Sequence, residues 1–133
     1  MRLYPIVTIG AALALASCGS DSSNDSTGTS AASTGAAAKP EVITATLTEY
    51  KIAASSTKLP VGAYTFKATN KGKQVHIFEV EGPGVESETS EIQPGETAPD
   101  LTLQLRTPGD YEYYCPIDDH KGKGMVTKFT VTG

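Results

Sequence analysis

The chain has 133 residues, 15 acidic against 11 basic side chains and a net charge of −4, which leaves room for one domain and no basic face for nucleic acid. It has no tryptophan and two cysteines, and these fall in surroundings so different that no disulfide is expected between them. A domain of this size without a disulfide rests on its apolar core, with a bound metal as a further support.

Residues 1–17 read as a signal peptide. One positive charge, Arg2, precedes an apolar run from Ile6 to Ala16 that is too short to cross a bilayer permanently. The run ends in Leu15-Ala16-Ser17-Cys18, which resembles the lipobox of bacterial lipoproteins and implies cleavage before Cys18 and lipidation of its thiol. Two or more acyl chains on one residue anchor a domain stably, whereas a single chain holds it only marginally. Ser, Thr, Ala and Gly dominate residues 18–40 and no large apolar side chain occurs there, so this stretch is expected to be a flexible tether. At 5–6 Å × √n its typical reach is roughly 25 Å.

Residues 41–133 form the candidate domain, and their hydrophobic period is two. Ile43, Ala45 and Leu47 alternate with Val42, Thr44 and Thr46, the pattern of a half-buried strand. Residues 49–59 are less regular, and Pro60-Val61-Gly62 turns into a second strand with Tyr64, Phe66 and Ala68 on one face. After the Asn70-Lys71-Gly72-Lys73 turn, a strand from Gln74 to Glu81 places His76, Phe78 and Val80 together. Residues 81–99 read as a long loop. Leu101, Leu103 and Leu105 mark the next strand; Tyr111, Tyr113 and Cys115 share a phase after Pro108-Gly109; and Met125, Thr127, Phe129 and Val131 share a face of the last strand. No helical stripe follows the leader, and short strands separated by turn signals predict an all-β sandwich or barrel.

Cys115, His120 and Met125 stand five residues apart in each step, and the one other histidine of the chain is His76. A thiolate, two imidazoles and a weakly bound thioether form the ligand pattern of a blue copper site. Zinc accepts Cys and His, but its structural sites close tetrahedrally with N, S or O donors, and a thioether serves it poorly. A Cys–His thiol catalyst lacks an orienting third group here, and a multicopper oxidase or nitrite reductase needs more histidines than the two present. The expectation is a binding protein and not an enzyme.

The chain resembles the cupredoxins, the family of plastocyanins, azurins, pseudoazurins and rusticyanin. The resemblance rests on Leu59-Pro60-Val61-Gly62-Ala63-Tyr64-Thr65-Phe66, on Asn70-Lys71-Gly72 before His76, and on the Pro94-Gly95-Glu96-Thr97 turn. It continues through Thr107-Pro108-Gly109-Asp110-Tyr111-Glu112-Tyr113-Tyr114-Cys115 and closes at Gly124-Met125. It implies a Greek-key antiparallel sandwich with one type 1 copper near one pole, bound by His76, Cys115 and His120 near a plane and by Met125 as the long axial ligand. Two positions depart from the family pattern: Ile77 where a polar residue often follows the first histidine, and Thr127 where a glycine often follows the methionine.

The function implied is single-electron transfer between redox partners such as a cytochrome or a terminal oxidase or reductase. Copper delivery, storage or resistance is the alternative. His120 is the expected electron exit, with its imidazole edge reaching the surface. Seven acidic residues between Glu79 and Asp100, uninterrupted by Lys or Arg, form a candidate docking surface for a basic partner. The expected location is a bacterial membrane, with a monomeric domain facing the periplasm or cell exterior.

Overall fold

A computed structural model describes residues 39–133. The leader (1–17), Cys18 and the tether up to residue 38 lie outside the described residues. Nine strands are described: β1 (Glu41–Thr48), β2 (Lys51–Ala54), β3 (Lys58–Pro60), β4 (Gly62–Asn70), β5 (Glu79–Gly82), β6 (Val85–Glu88), β7 (Leu101–Leu105), β8 (Gly109–Tyr114) and β9 (Val126–Thr132). The one helical element among the described residues is a 3-10 turn, Ile117–Asp119.

The strands form two sheets, ordered β2-β1-β4-β7 and β3-β9-β8-β5-β6. Between them lies the core expected from the alternation. Ile43, Ala45 and Leu47 of β1 and Tyr64, Phe66 and Ala68 of β4 face Phe78, Val80, Tyr111, Tyr113, Phe129 and Val131. Its centre is aromatic: Tyr113 stacks on Phe129 with ring centroids 4.1 Å apart and on Phe78 at 5.4 Å. Two tyrosine hydroxyls tie strand entries to the backbone four residues upstream, Tyr64 to the Pro60 carbonyl (2.7 Å) and Tyr111 to that of Thr107 (2.8 Å).

The expected sandwich is present, and its two sheets are mixed, with antiparallel pairs and two parallel ones. β1 runs parallel to β4 and β3 parallel to β9. After β1 the chain forms β2, crosses to the second sheet for β3, and returns as β4. A strand that comes back through the opposite layer can re-enter beside its predecessor in the same direction, and period-two alternation carries no sign of direction.

Four strands differ from the sequence reading, and of the strand expected from Gln74 to Glu81 only the end is regular, as β5 from Glu79. The irregular stretch 49–59 contains β2 and β3, each too short to show a period, and the loop 81–99 contains half of a tight hairpin. Pro83-Gly84 joins β5 to β6 with Gly84 at φ 74°, a positive-φ position suited to glycine. β6 is the edge of its sheet, and its Glu86 and Glu88 discourage pairing with another chain.

Register gathers the site at one pole. Glu79 lies opposite Tyr114, and Tyr114 opposite Val126. The residues just beyond these pairs are His76, Cys115 and Met125. His76 precedes β5 and is held by an isolated bridge in which it and Ile92 exchange backbone hydrogen bonds of 3.2 and 2.7 Å. Asn70, fully buried at the end of β4, braces this segment. Its amide donates to the Gln74 and Ile92 carbonyls (2.7 and 2.8 Å), and its side-chain oxygen accepts from the Gly72 N–H (2.8 Å). Removing the amide strands buried carbonyls, so Asn70→Ala is expected to lower stability by about 2–4 kcal/mol, read from the denaturant midpoint of the apoprotein.

Candidate metal centre

Each donor is delivered by a different local device. Cys115 follows β8 directly, and its backbone N–H donates to the Met125 carbonyl at 3.2 Å. The intervening loop folds on itself: His120 N–H donates to Ile117 O (2.7 Å), and Met125 N–H to His120 O (2.9 Å). Asp118 and Asp119 adopt positive φ (41° and 59°), a conformation aspartate tolerates better than most residues, and this compresses the loop so that His120 turns inward. Thr127 Oγ1 donates to the Ile52 carbonyl at 2.8 Å, tying the strand after Met125 to β2 of the other sheet.

The result is a convergent donor set. Cys115 Sγ lies 3.5 Å from His120 Nδ1 and 3.9 Å from His76 Nδ1. The imidazole rings stand 5.1 Å apart, inclined at 63°. His76, Cys115 and Met125 have no solvent exposure, and His120 has 2 %. A single ion about 2 Å from each donor fits between nitrogens and sulfur at such separations. Met125 supplies a buried thioether whose backbone is bonded to both Cys115 and His120. Soft sulfur donors combined with two imidazoles suit copper.

Two features prepare the donors electrostatically. The Ile77 backbone N–H points at Cys115 Sγ across 3.4 Å, so this apolar residue still links the His76 segment to the cysteine through its main chain. Burial pushes the His76 pKa below its ordinary value, and the neighbouring His120 adds to this, which favours the neutral imidazole a metal requires.

The chain matches the sequence profile described as the cupredoxin-like domain over residues 6–127. It belongs to the cupredoxin-like family. Among solved structures its fold is similar to that of auracyanin A, a "blue" copper protein of Chloroflexus aurantiacus, at 19 % identity and TM-score 0.56, over 71 % of this chain and all of that one. Reduced rusticyanin is similar at 17 % identity and TM-score 0.54, covering 71 % of this chain and 81 % of that chain. A multicopper oxidase from Pediococcus acidilactici is similar at 15 % identity and TM-score 0.55, but the match covers 26 % of that chain. At these identities the likeness is one of fold. No curated protein matches the chain. In this cupredoxin His76, Cys115, His120 and Met125 are arranged as a type 1 copper site.

The His120 imidazole is almost wholly covered, with 2 % exposure, and Tyr50 packs against it edge-on with ring centroids 5.2 Å apart at 70°. Lys123 Nζ in turn sits 5.0 Å from the Tyr50 ring centre. Tyr50 belongs to the β1–β2 turn, with φ 59°. Nothing in the irregular stretch 49–59 pointed to this cover, since it depends on a β1–β2 pairing that the sequence pattern did not display.

The acidic stretch is also redistributed. β5 and β6 place Glu79 opposite Glu88 and Glu81 opposite Glu86 on one face, a direct juxtaposition of like charges. Lys121 from the ligand loop approaches this face, pairing with Glu112 and reaching Glu81 at 3.7 Å, while Lys67 pairs with Asp100 at 2.6 Å. Tyr50→Ala should uncover His120. In the apoprotein, modification of His120 by diethyl pyrocarbonate is expected to accelerate severalfold while His76 stays protected, followed by peptide mass analysis.

Proposed function

We propose that the chain is a membrane-tethered blue copper protein that passes single electrons between redox partners at the outer side of a bacterial membrane. The observation that carries this reading is the closed, buried donor set: three donors converge within 4.8 Å of one another, and buried Met125 is tied through its backbone to two of the three residues. Copper bound there supplies a one-electron Cu(I)/Cu(II) couple. The protein's part is to keep the geometry fixed and dry. The loop hydrogen bonds hold Cys115, His120 and Met125 at constant spacing, and the Asn70 brace holds His76. A site that does not rearrange and offers substrate no open position suits electron exchange better than catalysis or metal hand-over.

The chain acts as a carrier and not as an enzyme by itself on this reading, since both of its histidines are committed to one site. The anchor is lipidated Cys18, with the tether of 18–40 giving the domain freedom to meet partners. No helix among the described residues is long and apolar enough to cross a membrane. Electrons leave at the His120 pole, with Tyr50 and Lys123 over the imidazole. A basic partner, such as a cytochrome, docks on the carboxylates of β5 and β6, which stand exposed on one face apart from the buried Glu79.

Titration of the full-length apoprotein with Cu(II) tests the centre. An intense thiolate-to-copper absorption band with narrow copper hyperfine splitting in electron paramagnetic resonance is expected, and both should vanish in Cys115→Ser. Weak absorption with ordinary wide splitting would favour copper delivery, storage or resistance instead. The docking face is tested separately. The rate of electron exchange with a basic cytochrome should fall as ionic strength rises, because surface charges more than a Debye length apart are screened, and Glu86→Gln/Glu88→Gln should flatten that dependence.

A further inference from the structure

The far side of His76 presents an unexplained polar atom. Its Nδ1 faces Cys115, whereas Nε2 is buried and has no hydrogen-bond partner among the described residues. Facing it, 3.7 Å away, is Oε1 of Glu49, beyond ordinary hydrogen-bond length but well within ion-pair range. A buried N–H without a partner is costly, and here a negatively charged group, the Glu49 carboxylate, is brought to that nitrogen.

Glu49 is built into this position. The same Oε1 accepts the backbone N–H groups of Lys73 and, at 2.8 Å, Gln74, in the turn that leads to His76. These donors hold the Glu49 carboxyl below the usual carboxylate range, so it is anionic at neutral pH. A Cβ on Gly72 would come within 2.5 Å of Oε1, so the turn leaves room for the carboxylate only because residue 72 is glycine. Tyr50, the next residue in the chain, packs on the other imidazole, His120. The two-residue turn after β1 therefore contacts both histidines from outside.

We propose that Glu49 is a positioning residue of the metal centre, whose carboxylate holds His76 with its proton on Nε2 and its Nδ1 free for copper, and favours the oxidised state of the site. The first effect follows from proton placement: an Nε2–H directed at a carboxylate is favoured over an Nδ1–H directed at a thiol, and the partner of one ring nitrogen decides the role of the other. The second follows from charge. An anion beside the site stabilises the ion carrying the larger positive charge, so removing it favours the reduced form. This inference rests on the copper reading for its second effect alone.

Both effects have their own measurement on the full-length protein. In the wild-type apoprotein, long-range proton–nitrogen correlation NMR is expected to show His76 as the Nε2–H tautomer, and Glu49→Leu is expected to bring in the Nδ1–H form. In the copper-loaded protein, Glu49→Gln keeps an oxygen for the Lys73 and Gln74 N–H groups but loses the charge. At a fixed ambient potential its oxidised-to-reduced ratio is expected to fall roughly tenfold relative to wild type, with the blue spectrum retained. A brace acting on the 72–74 turn alone would leave that ratio unmoved. An Nδ1–H tautomer in the wild type, an unchanged tautomer in Glu49→Leu, or an unshifted ratio in Glu49→Gln would overturn the proposal. An Nε2–H tautomer in a protein that forms no blue centre would support the hold of Glu49 on His76 and sink the copper reading instead.

Discussion

The constraint on which the structure turns is that a thiol and two imidazole nitrogens face one another in a space closed to water. Cys115 Sγ lies 3.9 Å from His76 Nδ1 and 3.5 Å from His120 Nδ1, and none of the three residues is more than 2 % exposed. Such groups gain little from one another without a cation between them, and water is not there to solvate them. Their convergence must therefore be supported from behind. The packed sandwich, the aromatic stack below the site and the hydrogen-bonded ligand loop provide that support.

The support is distributed unevenly over the two sheets. Cys115 and Met125 adjoin the neighbouring strands β8 and β9, so ladder hydrogen bonds position them almost directly. His76 lies outside any strand and depends on Asn70, on the bridge to Ile92 and on the turn occupied by Glu49. His120 depends on the compressed loop and on Tyr50. The β1–β2 turn belongs to the first sheet, whereas the ligands cluster at the end of the second. The site is thus closed by contact between layers, and Thr127 bonded to Ile52 fastens the same contact nearby.

Much of this was legible in the residue pattern. The inward phases of β1 and β4, of Tyr111, Tyr113 and Cys115, and of Phe129 and Val131 follow from alternation, because strands successively expose and bury their side chains. The placement of His76 with Phe78 and Val80 held even though the regular strand begins only at Glu79. Other features were not legible. β2 and β3 have four and three residues, too few for a period. The β5–β6 hairpin is rich in glutamate, which disguises a strand as loop, and the parallel pairings leave no mark on local sequence.

Sequence by itself determined the inventory and its chemistry: two histidines, one cysteine and one methionine within residues 41–133, in phases that turn three of them inward. Those properties are local, set by side-chain type and by the two-residue period of the backbone. Only the tertiary structure decided that His120 lies under Tyr50, that Glu49 faces the buried nitrogen of His76, and that Lys121 reaches the glutamates of β5 and β8. Each of these contacts joins residues brought together by strand crossover and layer packing. Their energies depend on distances that no spacing along the chain encodes.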